Sequence, residues 1–254
     1  MKIAANYCVY DEGRYITYSL EAIYPFVDKI ILMVSDTPWR GAKCSSDDTL
    51  ELIYDFPDPE KKLIIKEGRW KSQGEQRNEA LKINRYLRMN YYWIIDADEI
   101  YPASATEKIL EEIEKYPKAI NFYCGWWTYW RSFYYRIDPP EESTFIIGRI
   151  VPSFKFLFAR TPPKAPGQRI DTWIHHYSYA RPFERIRRKM SNIDGPGSPL
   201  QKGWLRKFEN WPQNKSVGNL HPYWTGHWKK AVRITWKIPE VLKNHPWSKV
   251  EIIK

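Results

Sequence analysis

The sequence predicts an α/β fold with a mostly parallel central sheet flanked by helices. Three features of the first 125 residues lead to that prediction: short apolar runs, segments of helical spacing between them, and acidic residues that follow the runs. Apolar runs without polar alternation are typical of parallel strands covered on both faces. Ligands bind beyond the carboxyl ends of such strands, so acids in those positions are candidates for a functional site.

Five runs rich in Ile, Val and Tyr predict the strands of the first half. They are Lys2–Cys8, Lys29–Val34, Leu63–Lys66, Tyr92–Ala97 and Ala119–Tyr123. Apolar residues at helical spacing predict helices around Leu20, Leu81 and Ile109. Ser72 and Ser104 are each followed three residues later by Glu, a capping-box pattern that predicts two helix starts.

The second half differs in composition from the first, with many aromatic residues and Pro-rich turns. Strand-like runs there predict antiparallel or mixed pairing, and two helical stretches follow. The strand runs are 145–150, 154–159 and 172–179, and the helices are 181–192 and 200–211. We therefore divide the chain into halves at 1–125 and 126–254, fused in one compact fold.

Composition bounds the class of protein. Apolar residues make up 43% of the 254 residues, enough for a real core, and the net charge of +10 favours an anionic partner. Cys8, Cys44 and Cys124 are odd in number and form no CxxC pair, so buried thiols are expected rather than disulfides or a zinc site.

Location is predicted from the absence of long apolar segments. No run approaches the roughly 18–20 residues that cross a bilayer, and the N-terminus lacks a secretory pattern, so we expect a cytoplasmic protein. The basic, Trp-bearing tail from Trp228 onward allows two interpretations. It either contacts an anionic membrane surface peripherally or packs into the core.

The run YYWIIDADEI, residues 91–100, ends abruptly in acids. Asp96 and Asp98 share a face of a strand and can aim at one point, with Glu99 directed elsewhere. Two such carboxylates suit Mg²⁺ or Mn²⁺. A phosphate about 4 Å from a carboxylate is repelled by about 4 kcal/mol at an effective dielectric near 20. A diphosphate ligand would therefore call for a divalent cation between the two.

Together these segments resemble a glycosyltransferase of the GT-A fold, close to family 2. The resemblance covers most of residues 2–125 and rests on four segments in order: NYCVYDEGRYITYSLEAI, VDKIILMVSD, GRWKSQGEQRNEALK and WIIDADE. It implies a glycosyltransferase of the hexosyltransferase type, which moves a sugar from a nucleotide-diphosphate donor. Residues 1–125 would then bind the nucleotide sugar, and 126–254 would form the acceptor side.

The resemblance also implies roles for the acids of the first half. Asp96 and Asp98 match the family's DxD motif, with Asp98 as direct metal ligand and Asp96 facing the ribose or the waters of the metal. Glu12 and Asp36 match positions on the nucleoside side. For Glu12 the alternative is an acid at a helix start, which the helix dipole favours.

The segment GRWKSQGEQRNEALK supplies the donor side of the resemblance. Gln73 and Arg77 are the donor-side candidates, and for Arg77 the reason is that a guanidinium matches the geometry of a phosphate or carboxylate. The alternative for Arg77 is an ion pair on a helix surface, which contributes little.

The segment DTWIHHYSYARPFERIRRKM resembles a W-x-H-x-S stretch and basic helix of some GT-A enzymes, including GlcNAc transferases that make bisecting branches. The match implies that His176, or next His175, completes the metal shell. Lys189 and Arg188 would touch phosphates. The alternatives are a histidine packed among aromatic residues and a solvated basic helix face.

The catalytic base is open, because no ED pair follows Tyr123. Glu141, Glu142 and Asp171 are the available acids. We expect Asp171 or Glu142 to take the acceptor proton. The resemblance favours inversion at the anomeric carbon, and the Trp and Tyr residues of 126–135 suit stacking on sugar rings or ordinary packing.

Two other classes of function compete with this interpretation. A nucleic-acid-binding protein would use the basic and aromatic residues, but no RNA-recognition or zinc-finger signature occurs. A metal-dependent nuclease or phosphotransferase would use the same acids. The sequence leaves the sugar, the nucleotide and the acceptor open, whether glycan, lipid-linked or protein.

Overall fold

A computed structural model describes residues 1–40, 47–162, 164–194, 199–224 and 226–254. Ten strands lie in this part of the chain: β1 (Ile3–Val9), β2 (Lys29–Ser35), β3 (Leu63–Gly68), β4 (Tyr91–Ile95), β5 (Glu99–Ile100), β6 (Asn121–Trp130), β7 (Tyr135–Asp138), β8 (Glu141–Arg149), β9 (Gly167–Tyr179) and β10 (Lys230–Arg233).

Six α-helices lie in the same described ranges: α1 (Ile16–Ile23), α2 (Thr49–Tyr54), α3 (Gln73–Tyr86), α4 (Ala103–Lys115), α5 (Phe183–Asp194) and α6 (Pro199–Asn210). Two short 3-10 turns cover Tyr24–Phe26 and Glu240–Leu242.

One large sheet organises the molecule, in the order β10-β7-β6-β8-β4-β1-β2-β3. The strands β3, β2, β1 and β4 pair in parallel, and β9 runs parallel to β6. The strands β8 and β7 join the sheet in antiparallel fashion, and the short β5 pairs with β9. The carboxyl ends of β1 and β4 therefore meet at one edge, as the polar residues after them predict.

Burial on both faces explains why the parallel strands lack polar alternation. Along β4, Trp93 and Ile95 pack in the core formed with α1 and α4, and Tyr92 and Ile94 pack in the core formed with α3. Each face thus needs an apolar residue, because helices cover the sheet on both sides. The predicted α/β class with a mostly parallel sheet is confirmed.

The second half packs through aromatic side chains. Trp130 in β6 lies edge-on to Trp204 and Phe208 of α6, which closes a separate apolar cluster with α5. The tail adds buried residues: Trp228 is 4% exposed, and Leu242 and Ile253 are almost fully enclosed. These side chains pack in the core, the second of the two interpretations of the tail.

The predicted strands of the first half are confirmed, although β6 continues to Trp130 and crosses the boundary placed at residue 125. The predicted strand at 154–159 is wrong. Phe154 and Phe156 are buried as a strand face would be, but the Asn78 amide takes the hydrogen bonds of the Phe156 backbone that a neighbouring strand would have taken. The sequence did not predict β5, β7, β10 or α2.

The two helix starts differ in outcome. Ser72 caps α3, with its hydroxyl oxygen accepting from the Glu75 backbone N–H at 3.2 Å, as predicted. The predicted cap at Ser104 is wrong, because α4 begins at Ala103 with Pro102 as its N-cap and no side-chain cap. Pro102 is extended at the N-cap, so Ala103 and Ser104 are already within the first turn of α4.

Two expectations from composition can be compared with the structure. Cys8 and Cys124 are free and buried, as predicted, whereas Cys44 lies outside the described residues. Among the described helices, none combines the length and the apolar character that a membrane crossing requires.

Candidate active site

A cleft of about 610 Å³ opens beyond the carboxyl ends of β1 and β4. Its walls come from the end of β1 and the turn after it, the segments at 38–40 and 157–159, the start of α3, the acids after β4, one face of β9, and α5. Strand alternation turns His176 and Ser178 of β9 towards this cleft and His175 away from it.

Asp98 lies at the centre of an ion-pair cluster and is 2% exposed. Its Oδ2 atom accepts hydrogen bonds from Arg181 Nη2 and Lys189 Nζ, both at 2.6 Å. Its Oδ1 atom lies 3.8 Å from His176 Nε2. Burial alone would raise the pKa of Asp98, but Lys189 and Arg181 hold that pKa well below its usual range. Asp98 is therefore a buried anion whose charge is already met by two cations.

Glu12, in the turn after β1, is a second acceptor for the same cations. Arg181 Nη2 donates to Glu12 Oε2 at 2.6 Å, and Lys189 Nζ lies 3.6 Å from Glu12 Oε1. Lys189 also donates to Ser178 Oγ at 2.9 Å, and the Arg181 guanidinium lies 5.0 Å from the centre of the Tyr15 ring. Several contacts thus fix both cations beside Asp98.

Asp96 is held by two arginines. Arg77 Nη2 donates to Asp96 Oδ1 at 2.8 Å, and Arg160 Nη1 lies 3.6 Å from Asp96 Oδ2. Burial would raise the pKa of Asp96, but these arginines lower it. Arg77 itself is fully buried, and its Nε and Nη1 atoms have no hydrogen-bond partner among the described residues. Arg77 therefore lies beneath Asp96 and does not line the cleft.

Glu99 anchors Arg160 from below. The Arg160 guanidinium pairs with both carboxylate oxygens of Glu99, with Nη2 at 3.0 Å from Oε2, and its Cζ atom lies 4.6 Å from the Trp126 ring centre. Burial raises the pKa of Glu99 to about 7, although Arg160 opposes that rise. Glu99 is thus directed away from Asp96 and Asp98, as the sequence predicts.

A hydrogen-bonded chain orients His176. Glu141 Oε2 and Thr128 Oγ1 are 2.6 Å apart, and Thr128 Oγ1 lies 3.2 Å from His176 Nδ1. An ionised Glu141 can only accept, so the Thr128 hydroxyl donates to it and accepts from Nδ1–H. The remaining lone pair is then on Nε2, beside Asp98. Burial lowers the pKa of His176 to about 4, so the imidazole is neutral at neutral pH.

A second group of ion pairs joins α5 to the turn after β1. Arg185 Nη1 and Arg188 Nη2 donate to Asp11 Oδ1 at 3.0 and 2.7 Å, and Arg185 Nη1 lies 3.7 Å from Asp47 Oδ2. Arg185 also lines the cleft. These pairs hold the basic face of α5 against the acidic turn.

Eight basic and six acidic side chains of the described residues surround the cleft. They either line it or form ion pairs with the lining residues, and Glu99 joins them through Arg160. The basic ones are Arg40, Lys71, Arg77, Arg160, Arg181, Arg185, Arg188 and Lys189; the acidic ones are Asp11, Glu12, Asp47, Asp96, Asp98 and Glu99. With neutral histidines, these fourteen side chains have a net charge of +2.

Comparison with known families decides the classification. The model of the family described as Glycosyl transferase family 2 matches residues 43–196, more than half of the chain. The chain belongs to this family. Its resemblance to GT-A glycosyltransferases is thereby confirmed. No curated protein sequence matches the chain significantly.

Solved structures match the chain at low identity. A mannosyltransferase from Pyrobaculum calidifontis, in complex with GDP-Man and Mn²⁺, is 15% identical with a TM-score of 0.48; the match covers 83% of this chain and 69% of that one. Glucosyl-3-phosphoglycerate synthase from Mycobacterium tuberculosis, in complex with Mn²⁺ and UDP-Glc, is 15% identical with a TM-score of 0.38. That match covers 49% of this chain, which spans only 43% of the synthase.

The remaining residues predicted for this family 2 site lie in different places. Gln73, the first residue of α3, lines the cleft together with Lys189 and Glu12. Asp36 lies at the surface, where Arg69 Nη2 donates to its Oδ2 at 2.8 Å. His175 lies on the other face of β9, with Nδ1 at 2.7 Å from the Tyr129 hydroxyl.

The two acids predicted as the base do not line the described cleft. The Asp171 side chain is 86% exposed near the start of β9. Glu142 is exposed at the start of β8, where its backbone carbonyl accepts from Arg169 Nε at 2.8 Å. Asp171 lies towards the edge of the sheet opposite the ends of β1 and β4, because β9 runs parallel to β6 and β8 runs antiparallel to both β6 and β4. Glu142 lies at the same edge as those strand ends, but its side chain faces solvent. Glu141, the neighbouring acid, connects to the cleft through Thr128.

Sequence reasoning missed Arg160, Arg181 and Arg185. The basic run at 181–190 was a usable signal, but charge runs on helices are usually solvated. Arg160 had no signal, because it follows an irregular segment and reaches Glu99 across 61 residues of sequence.

The oxygen and nitrogen atoms around Asp98 could in principle ligate a divalent ion. Asp98 Oδ1 and His176 Nε2 face each other at 3.8 Å, but Asp98 Oδ2 is taken by two cations and both Asp96 oxygens face arginines. Within the described ranges, no group of three His, Cys, Asp or Glu residues is arranged to hold a metal. In this arrangement the residues do not fit Mn²⁺ or Mg²⁺, and the predicted metal ligands Asp96, Asp98 and His176 stay a prediction.

Proposed function

We propose that this chain is a glycosyltransferase that moves a sugar from a nucleoside-diphosphate donor to an acceptor hydroxyl. The observation that carries the proposal is the basic cluster of Arg181, Lys189 and Arg185 around the acids that follow β1 and β4. Membership of glycosyl transferase family 2 supports the reaction class. A cleft of about 610 Å³ also has the size of a small-ligand site.

The proposed reaction is a single displacement at the anomeric carbon. A bond forms from the acceptor oxygen to that carbon while the bond to the diphosphate oxygen breaks, and the diphosphate departs with the electron pair. The sugar carries positive charge in the transition state, as in glycoside hydrolysis. Attack opposite the leaving group inverts the configuration, which agrees with the family resemblance.

The proton of the acceptor hydroxyl needs a base in the cleft. His176 has the geometry for this role, because Thr128 and Glu141 orient its Nδ1–H and leave the Nε2 lone pair towards the cleft. In this proposal Nε2 accepts the proton as the new glycosidic bond forms. The exposed positions of Asp171 and Glu142 speak against the earlier candidates.

Binding of the donor involves Glu12, Gln73 and the cations of α5. Gln73 and Lys189 line the cleft, which supports their assignment to the nucleotide sugar. We keep Asp36 on the nucleoside side of the site as a proposal. We also keep Arg77 on the donor side, where it would act through Asp96. The Mn²⁺ or Mg²⁺ expected from the sequence stays a prediction, because the described residues in this arrangement do not fit either ion.

The test is a screen of UDP- and GDP-sugars with the full chain, measuring release of UDP or GDP with and without simple sugar acceptors. We expect release of the nucleoside diphosphate from either UDP-sugars or GDP-sugars. We also expect that the free nucleotide is not degraded. Failure to release either nucleotide, together with cleavage of an oligonucleotide, would favour the nuclease instead.

A further inference from the structure

We propose that Arg181 and Lys189 occupy the place of the divalent cation, so that this chain binds a nucleoside diphosphate without a metal ion. The inference rests on the proposed function, since it concerns the diphosphate of the same donor. It departs from the metal-dependent site that the sequence predicts for Asp96, Asp98 and His176.

The first argument is that the carboxylate that would ligate a metal is already coordinated by the chain. Arg181 and Lys189 both donate to Asp98 Oδ2 at 2.6 Å. Arg181 is 2% exposed and also donates to Glu12 and to the Ser178 carbonyl, so it is built into the site rather than resting on its surface. A divalent ion bound to Asp98 would be repelled by the positive charges of Arg181 and Lys189.

The second argument is the charge of the cleft. Among the described residues, the charged side chains that line the cleft, together with the ion-pair partners named above, carry a net charge of +2. The diphosphate of a nucleotide sugar carries two negative charges, so this cluster of side chains can balance it without a metal. The repulsion between carboxylates and phosphates that motivates a metal is therefore met by side chains instead.

The third argument is access. The Lys189 side chain is 23% exposed and lines the cleft. An ammonium group has three N–H donors, and two of them point to Asp98 Oδ2 and Ser178 Oγ. Glu12 Oε1 lies 3.6 Å from Nζ, beyond hydrogen-bond distance, so the third N–H can be donated to a phosphate oxygen. Arg185, also lining the cleft, presents a guanidinium whose fork suits phosphate geometry. These cations would stabilise the charge that develops on the departing diphosphate.

The experiment is calorimetric titration of the full chain with UDP and with GDP, once in EDTA and once in Mn²⁺. We expect binding of one nucleotide with dissociation constants within about threefold of each other under the two conditions. Binding in Mn²⁺ alone would overturn the inference and leave the proposed transferase standing. Absence of binding under both conditions would overturn both.

Three variants sharpen this experiment, with thermal melting to check their fold. Lys189→Met should weaken nucleotide binding in EDTA at least tenfold, and Lys189→Arg should restore most of it. Arg187→Met is the matched control, because Arg187 lies on the same helix but pairs with Glu184 at the surface and should change nothing. Equal binding by Lys189→Met and the wild type would contradict the role of Lys189.

Discussion

At the scale of single residues, the site is governed by how the chain neutralises Asp98. The sequence correctly brings Asp98, Glu12, Gln73 and Lys189 to one cleft, because strand ends and motif spacing are readable from a single chain. It could not reveal that Arg181 shares the Asp98 carboxylate, since that contact spans 83 residues of sequence. The partners of long side chains depend on the tertiary structure, so the spacing of residues along the sequence does not predict them.

Substitution of Asp98 tests this balance. Asp98→Asn removes the negative charge that Arg181 and Lys189 share and leaves Glu12 as the carboxylate that faces both cations. We expect donor turnover to fall at least 100-fold and the free energy of unfolding to fall by about 2–4 kcal/mol. Chemical denaturation and nucleotide release measure the two effects. Glu114→Gln, on an exposed face of α4, is the control. An active and equally stable Asp98→Asn variant would contradict this account.

Substitution of His176 tests the assignment of the base. His176→Gln keeps the size and a hydrogen bond to Thr128 but removes the lone pair on Nε2. We expect kcat to fall by about 10²–10⁴-fold with little change in nucleotide affinity. Steady-state kinetics and calorimetry separate these quantities. A variant with unchanged kcat would exclude His176 as the proton acceptor.

At the scale of elements, close approach between β6 and β9 shapes the second half. Gly125 in β6 faces Trp173 of β9, and a Cβ atom added to Gly125 would lie 2.2 Å from Trp173 Cε3. The strand patterns of β6 and β9 were predictable in outline, but this contact was not. A glycine in an aromatic run marks close packing only once its neighbour is known.

A pair of glycine substitutions tests this packing. Gly125→Ala should lower the free energy of unfolding by about 1–3 kcal/mol, because the Trp173 ring must shift within a packed core. Gly203→Ala in α6 is the matched control, since nothing lies within 4 Å of its added Cβ. It should raise stability by about 0.5–1 kcal/mol, because alanine favours helix. Equal effects of the two changes, measured by denaturant melts, would contradict the model of packing between β6 and β9.

At the scale of the whole molecule, the parallel sheet was predictable because each of its strands is locally apolar and bounded. The antiparallel extension was only partly predictable. The short strands β5, β7 and β10 have little pattern of their own. The strands β5 and β7 pair with the longer β9 and β6, and β10 pairs with β7. Trp228, Leu242 and Ile253 of the tail pack in the core, whereas peripheral membrane contact by the tail stays a prediction.

Burial of the tail predicts a pH dependence of stability. Burial lowers the pKa of His245 to about 4, and its Nδ1 accepts from the Trp247 backbone N–H while Nε2 faces the Arg14 carbonyl. In the unfolded chain a histidine titrates near 6.5. The unfolded state therefore binds the proton first, and His245 costs stability as pH falls from about 6.5 to 4.

The measurement compares thermal or urea unfolding of the wild type and His245→Gln across that pH range. The wild type should lose on the order of 1–3 kcal/mol more than the variant between pH 7 and pH 4. Comparison with the variant is required because raised carboxylate pKa values, such as that of Glu99, act in the opposite direction. Parallel pH profiles would contradict the buried neutral state of His245.

A crystal structure of the full chain with UDP or GDP, prepared in EDTA, tests the central claim most directly. We predict that the diphosphate lies in the cleft beyond β1 and β4, with Lys189 Nζ within hydrogen-bond distance of a phosphate oxygen. Nucleotide bound elsewhere on the molecule, or a diphosphate out of reach of both Lys189 and Arg185, would contradict the account.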